Sequence, residues 1–386
     1  MKSNRFLLRT TIVSVLLTLI FSQLYAVPAY EINFVKGNIA QKTQAVIDAG
    51  DQNDVTLAVK AIDFCLEEHP LLGDDPDLLN LIQTAVQTVG TDPHKGQLPG
   101  LSEKLVAVFK SFQTESIRVL VLERITFFPS DNSVMLINSF VSDSAFQKQA
   151  MSPVILKAIS SLGKIGNASS FSLLFAIDLD EIWPAYEKQI EYSLGMLANS
   201  CEKEILTSYE SSTIDKKIRI IEIIAKNENI SSNIKGDVAQ IALSESISNT
   251  GNSSTDQIPL QLLALKILSD SHWTRAAMVV NDYFPVARLQ YENNALTADQ
   301  FAQVISNTAG VAAPETASTL SSYLDSLNKD MEKGKIPAKQ VVLALIHALG
   351  GLGDKTAFDY LLYVTYLEYP EEVISAARDA LAKLKW

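Results

Sequence analysis

Apolar residues recur three and four positions apart along almost the whole chain after Glu31, and strand-like alternation is absent over any useful length. Leu57, Ile62, Cys65 and Leu66 begin the series, and Leu78, Leu81, Ile82, Ala85, Val86 and Val89 come next. The same spacing returns in Leu101, Leu105, Val108, Phe109 and Phe112, and again in Ile117, Val121, Leu122 and Ile125. Each stripe is what an amphipathic helix needs to bury one face. Between the stripes lie Gly73-Asp74-Asp75-Pro76, Gly90-Thr91-Asp92-Pro93, Pro129-Ser130-Asp131-Asn132 and Gly353-Asp354, residue types that stop one helix and start the next. The pattern predicts an all-α chain.

The chain also resembles itself. Val154–Asn167 and Val341–Asp354 superimpose without a gap at an offset of 187 positions. Both run on into Phe-x-x-Leu (Phe171 to Leu174, Phe358 to Leu361), then a turn with Pro184 or Pro370, then a second apolar helix. The glycines at the end of the first helix allow a close turn, and Asn167 or Asp354 can cap the next helix. A related start recurs in Thr114-Glu115-Ser116-Ile117-Arg118 and Asp215-Lys216-Lys217-Ile218-Arg219, where a capping residue is expected ahead of Ile and Arg.

At these residues the chain resembles the HEAT-repeat family, in particular the short bacterial HEAT-like repeats also found in phycobilin lyases. Ala348-Leu349-Gly350 to Gly353-Asp354, followed by Val373-Ile374-Ser375-Ala376-Ala377-Arg378-Asp379-Ala380-Leu381, is similar to that family's A-L-G-x-[IL]-G-D and V-R-x-A-A-x-x-A-L. Ile374 departs from the pattern by standing at the Arg position, which Arg118 and Arg219 fill in more degenerate units. The resemblance covers 154–198 and 341–386; elsewhere there is only a rhythm of helix pairs. It implies an α/α superhelix, a HEAT-like solenoid of about eight helix pairs at a period of roughly 40–47 residues. It says little about function.

The N-terminus reads as an address. Lys2, Arg5 and Arg9 precede the apolar run Ile12–Phe21, and Val27-Pro28-Ala29 is a suitable cleavage site, so residues 1–29 are expected to be a signal peptide. An uncleaved anchor is the alternative. Later in the chain no apolar run is long enough to span a membrane, and the expected location is periplasmic or secreted. Residues 30–50 are expected to form an irregular N-terminal cap, and Trp386 to close the other end. Joints are expected at Gly90–Gly100, Ser246–Pro259 and Lys329–Pro337, the second dividing an N-terminal lobe (51–250) from a C-terminal lobe (251–386). Cys65 and Cys201 could pair in an oxidising compartment or remain two separately buried thiols.

With 32 Lys+Arg against 44 Asp+Glu the chain carries a net charge of −12, and loss of the signal would remove only positive charges. An electrostatic hold on nucleic acid is thereby disfavoured. Candidate chemistry is sparse. The four histidines, His69, His94, His272 and His347, show no metal-binding spacing: His347 reads as a structural helix position, and His69 and His94 as solvated residues beside prolines. The acidic clusters at Asp74–Asp77 and Asp178–Glu181 read as capping turns, since neither has the spacing of a calcium loop. Ser161-Leu162-Gly163-Lys164 and Ser326-Leu327-Asn328-Lys329 match a Ser-x-x-Lys dyad, a pattern that chance supplies in a chain of this length. Gly350-Gly351-Leu352-Gly353 follows a helix rather than a strand, unlike a phosphate loop.

Aromatic residues remain. Tyr360, Tyr363, Tyr366 and Tyr369 run every third position, and Trp183 and Trp273 stand out. Core packing accounts for most of them, yet a tyrosine stripe on a helix is the composition that interfaces favour. The expectation is an exported, non-enzymatic HEAT-repeat protein that uses no cofactor or metal and acts as a scaffold for a protein or peptide, basic or mixed in charge. The alternative is a small-molecule-binding or lyase-like HEAT enzyme whose groove gathers His272, Trp273 and carboxylates.

Overall fold

The computed structural model describes residues 28–91, 98, 100–248, 255–311, 313 and 315–385. The signal segment, His94 and Trp386 lie wholly or almost wholly outside them. Among the described residues there are 20 α-helices and no strand, so the chain is all-α as the periodicity requires. None of these helices is long and apolar enough to cross a membrane. The chain divides into two compact units, Met1–Leu173 and Leu174–Trp386.

The first unit contains α1 (Ala29–Lys36), α2 (Ile39–Asp51), α3 (Thr56–Leu72), α4 (Pro76–Val89), α5 (Leu101–Ser111), α6 (Glu115–Ile125), α7 (Asp131–Phe146), α8 (Pro153–Ile165) and the start of α9 (Ala168–Leu179). The residues of the apolar stripes are its core: Leu78, Leu81, Ile82, Ala85 and Val86 of α4 are wholly inaccessible, as are Leu105, Val108, Val121, Leu122 and Ile125. Helices pair with their chain neighbours (α3 with α4, α5 with α6, α7 with α8), and the pairs stack. Thus α2, α4, α6 and α8 form one row, and α3, α5 and α7 a second. The stacked helices bury their stripes between neighbours, the arrangement that a long series of one-faced helices favours.

The helix starts obey the local chemistry. Asp75 accepts from the Asp77 and Leu78 amides at 3.0 and 3.2 Å with Pro76 at the first helical position, and Ser130 and Ser133 form a reciprocal cap. Residues 30–50, expected to be irregular, are instead α1 and α2. Asn38 and Gln41 close a full capping box, each side chain bonding the other's amide at 2.9 Å, and Tyr30 and Phe34 are buried.

The second unit holds the end of α9, then α10 (Glu187–Ala198), α11 (Glu202–Glu210), α12 (Ile214–Lys226), α13 (Ser232–Ser248), α14 (Ile258–Asp270), α15 (Ala277–Glu292), α16 (Ala298–Val311), α17 (Thr316–Glu332), α18 (Lys339–Leu352), α19 (Phe358–Val364) and α20 (Glu371–Leu381). Again the helices pair and stack, with α12, α14, α16, α18 and α20 in one row. The division between units falls within α9. Of the segment 246–259, expected to separate the lobes, residues 249–254 lie outside the described residues; α13 and α14, which reach into it from either end, both belong to the second unit and pack against each other. One close approach needs glycine: a Cβ on Gly236 of α13 would lie 2.4 Å from the Trp273 ring.

The two matched segments end their first helix alike, at a glycine followed by a capping Asn or Asp. Gly166 and Gly353 cap α8 and α18, and only Gly353 does so in the left-handed region, at φ 68°. Asn167 Oδ1 accepts from the Ser169 and Ser170 amides (3.0 and 3.2 Å), and Asp354 Oδ1 from the Thr356 amide (2.8 Å). The second pair of starts differs from expectation. Thr114 does precede α6, but α12 begins after Thr213, which places Asp215 inside the helix rather than at its cap. Thr213 offers the extended backbone of a cap residue two positions earlier.

Candidate functional site

The run Phe171–Leu179 is apolar except for Ser172 and Asp178, and Asp178 is only 3% exposed. A carboxylate in such a position must either find a partner or hold its proton. It sits in the last turn of α9, where the chain leaves the helix through a Schellman turn. The Glu181 amide donates to the Asp178 carbonyl and the Ile182 amide to the Ile177 carbonyl, both at 3.1 Å. Glu181 takes the left-handed conformation at φ 49°, one that a β-carbon disfavours. The sharp exit turns the chain towards Trp183 and the short 3-10 segment Pro184–Tyr186, which delivers Glu187 to the start of α10.

Arg219 of α12 meets this turn. Its Nη2 donates to Glu187 Oε1 at 3.0 Å, and its Nη1 lies 3.9 Å from Glu222. Lys226 reaches the same Glu187 oxygen at 3.4 Å, and Lys216 pairs with Asp180 at 3.0 Å. These bonds hold the Glu187 carboxyl below its ordinary range. Asp178 goes the other way: burial pushes its carboxyl up to about 6, and the nearby Glu191 and Glu187 add to the rise against the pull of Arg219 and Lys226.

The turn encloses a cavity of about 230 Å³ lined by Asp178, Glu181, Glu187 and Arg219 and, on its apolar side, by Ile177, Trp183, Pro184 and Ile190. Three buried polar atoms in this neighbourhood have no hydrogen-bond partner among the described residues: Asp178 Oδ2, Glu191 Oε1 and Arg219 Nε. Unsatisfied buried groups of this kind are costly, on the order of 1–3 kcal/mol each. Among the described residues no three His, Cys, Asp or Glu side chains converge closely enough to hold a metal ion.

Of the six aromatic candidates, only Trp183 belongs to this cavity. Trp273 lies on Gly236, with its Nε1 donating to Gln240 at 3.2 Å and Arg275 stacked 4.0 Å above its ring. The tyrosines do not form one helical stripe, because α19 ends at Val364. Tyr369 is buried and donates to the fully buried Asn328 at 3.2 Å, so it serves packing, whereas Tyr360 is half-exposed and accepts from Asn328 through its backbone carbonyl. Tyr363 bonds Glu332, and Tyr366 alone of the four is fully exposed, at 75%.

Around the second tryptophan, Trp273 is buried, and exposed His272 places Nδ1 3.1 Å from the Gly310 carbonyl. His69 is not a solvated turn residue. It lies within α3, its ring 4.3 Å from that of Phe112. Ser161 is buried against the Leu122 carbonyl at 3.2 Å, and Ser326 bonds the Tyr323 carbonyl at 2.7 Å. Cys65 and Cys201 are both buried free thiols, and burial raises the pKa of each.

The acidic cluster at 178–181, expected to be no more than a capping turn, contains the central carboxylate of this cavity. Its sequence carries one ionisable residue in a run otherwise suited to the core, and that signal is enough to mark Asp178. Nothing local marks Glu187, which depends on the reach of Arg219 from another helix. Compared with models of known protein families the chain matches none, and no curated protein is significantly similar to it, so the site is described by its own residues alone.

Proposed function

We propose that the chain is an exported, non-enzymatic helical-repeat protein of the HEAT type that binds a protein or peptide partner in the cell envelope. The signal-like N-terminus supports export, and the stacked helix pairs support a repeat architecture that offers long surfaces for binding. The observation that carries the reading is the Asp178 cavity. It presents three carboxylates against one arginine, with buried polar atoms left unpartnered, which suits a partner that brings positive charge. The test is retention of envelope proteins on the immobilised chain, followed by cross-linking. Binding that falls with salt and with Asp178→Asn is expected, and a chain that retains nothing from its own envelope would count against the proposal.

A lyase-like enzyme is the second reading, favoured by the same carboxyl. A group that titrates at about 6 inside a cavity can give or take a proton near neutral pH. Mass spectrometry of ligand recovered from the chain separates the two, because a binding module returns it unchanged.

A further inference from the structure

We propose that the Asp178 cavity is a receptor for a primary α-ammonium group with its neighbouring carbonyl or carboxylate oxygen, the chemistry of a peptide N-terminus or of a free amino acid. The inference rests on the reading of this site as a binding site and names the group it takes.

The unpartnered atoms set the pattern. Asp178 lines the cavity and its Oδ2 is a buried acceptor without a partner, and Glu191, whose charge acts on Asp178, carries a second such acceptor in its Oε1. Arg219 Nε is a donor, on a guanidinium whose Nη2 is already committed to Glu187. A lysine or simple alkylamine offers donors only and would leave the arginine Nε–H without a partner. An inorganic anion offers acceptors only and would meet three carboxylates. An α-ammonium beside a carbonyl offers both, a donor group for the carboxylates and an acceptor for the arginine. Charge agrees: the three lining carboxylates exceed the two cations that reach them, Arg219 and Lys226, by one. Size agrees as well, since about 230 Å³ lies below the roughly 300–1,000 Å³ of pockets that enclose a whole drug-sized ligand. The cavity has room for a terminal group, with the rest of a peptide left outside.

Titration calorimetry on the full-length chain tests this with five probes: alaninamide, free alanine, the peptide Ala-Gly-Gly, N-butylamine and Nα-acetyl-lysine methylamide. The three α-amino probes are expected to bind at least about tenfold tighter than the other two, a difference equivalent to one charge-assisted hydrogen bond. Preference for Ala-Gly-Gly over alanine assigns the site to peptide N-termini, and the reverse to free amino acids. Asp178→Asn should abolish the binding. Arg219→Lys, which keeps the charge but has no Nε–H, should weaken the α-amino probes and leave N-butylamine unchanged; thermal melts confirm that both variants fold. Affinity should also fall about tenfold per pH unit below about pH 6 as Asp178 takes up its proton. The groups that face it are Arg219 and Lys226 from α12 and Glu187 and Glu191 from α10, of which Glu187 stays ionised there.

Equal binding of all five probes, or a preference for the acetylated lysine, overturns the α-amino assignment while leaving a basic partner in place. If none of the five binds at about 10 mM, weaker than any useful affinity, the cavity holds water only and the assignment fails. If in that case Asp178→Asn also leaves envelope capture unchanged, the reading of this cavity as the partner site fails with it.

Discussion

Arg118 and Arg219, one in each compact unit, each directly follow an isoleucine near the start of a helix, Arg118 four residues after its cap Thr114 and Arg219 six after Thr213. Their surroundings share almost nothing. Arg118 lies over the Phe109 and Phe140 rings at 4.7 and 5.7 Å, with its Nε donating to the Phe112 carbonyl at 3.2 Å. Desolvation lowers its pKa. Arg219 faces Glu187, Glu222 and Asp178 instead, and its carboxylate neighbours raise its pKa despite burial. An arginine near a helix start is thus common to both units, and the neighbouring helices determine what it meets. An aromatic neighbour makes it a packing element, whereas a carboxylate neighbour makes it half of a polar site.

The matched repeats give the same lesson. Asp178 corresponds at the 187-residue offset to Thr365, which satisfies itself by donating to the Leu362 carbonyl at 2.7 Å. One helix end therefore carries an unpartnered buried carboxylate, and its counterpart closes on its own turn.

The largest expected effect comes from removing the buried charge. With a folded value of about 6, Asp178 binds its proton more tightly in the folded chain than in the unfolded one, so the folded state loses stability as pH rises from about 4 to about 6. Asp178→Asn should accordingly stabilise the protein at pH 7 by up to about 3 kcal/mol, and the gain should vanish by about pH 4. Urea midpoints at the two pH values measure it; a variant destabilised at pH 7 would mean that Asp178 is a structural partner of Arg219 and no reserve for a ligand.

Next in size is the contrast between the arginines. Arg219→Met leaves Asp178 and Glu187 uncompensated and should cost about 2 kcal/mol at pH 7, allowing for the partial exposure of the pair, and less at pH 5. Arg118→Met loses ring stacking and one hydrogen bond, about 1 kcal/mol, with no dependence on pH in that range. Equal pH dependence in the two variants would erase the distinction between a packed arginine and a site arginine. The double variant Asp178→Asn with Arg219→Met sharpens it: the two changes should fall short of additivity by about 1 kcal/mol, read from the same unfolding curves.

The smallest effect tests whether a carboxylate at the equivalent place is sufficient. Thr365→Asp puts one at the end of α19, half-exposed and close to the helix's negative pole, and should cost about 0.5 kcal/mol. Its carboxyl, followed by NMR titration, should stay in the ordinary range. A value near that of Asp178 would mean that the helix end, rather than Arg219 and burial, creates the site.

The helices, their order and most of their buried faces were legible in the sequence, because three-and-four spacing is a local property that any long helix must show to bury a stripe. Ile82, Val121 and Leu345 are inaccessible for the reason their spacing implied. The capping turns at Asp75, Ser130, Asn167 and Asp354 were legible too, since a cap is formed by residues two or three positions apart. The tyrosines misled, because the period of three outran the helix that was to display it. Asp178 was visible only as an acid, and its burial, its unpartnered oxygen and its elevated titration come from α10 and α12, which lie further along the chain. By itself the sequence determined a chain of one-faced helices that must stack in pairs. Only the tertiary structure decided which arginine would be packed on rings and which would face a cavity, because local spacing fixes a residue's side of its helix and never its partner on the next.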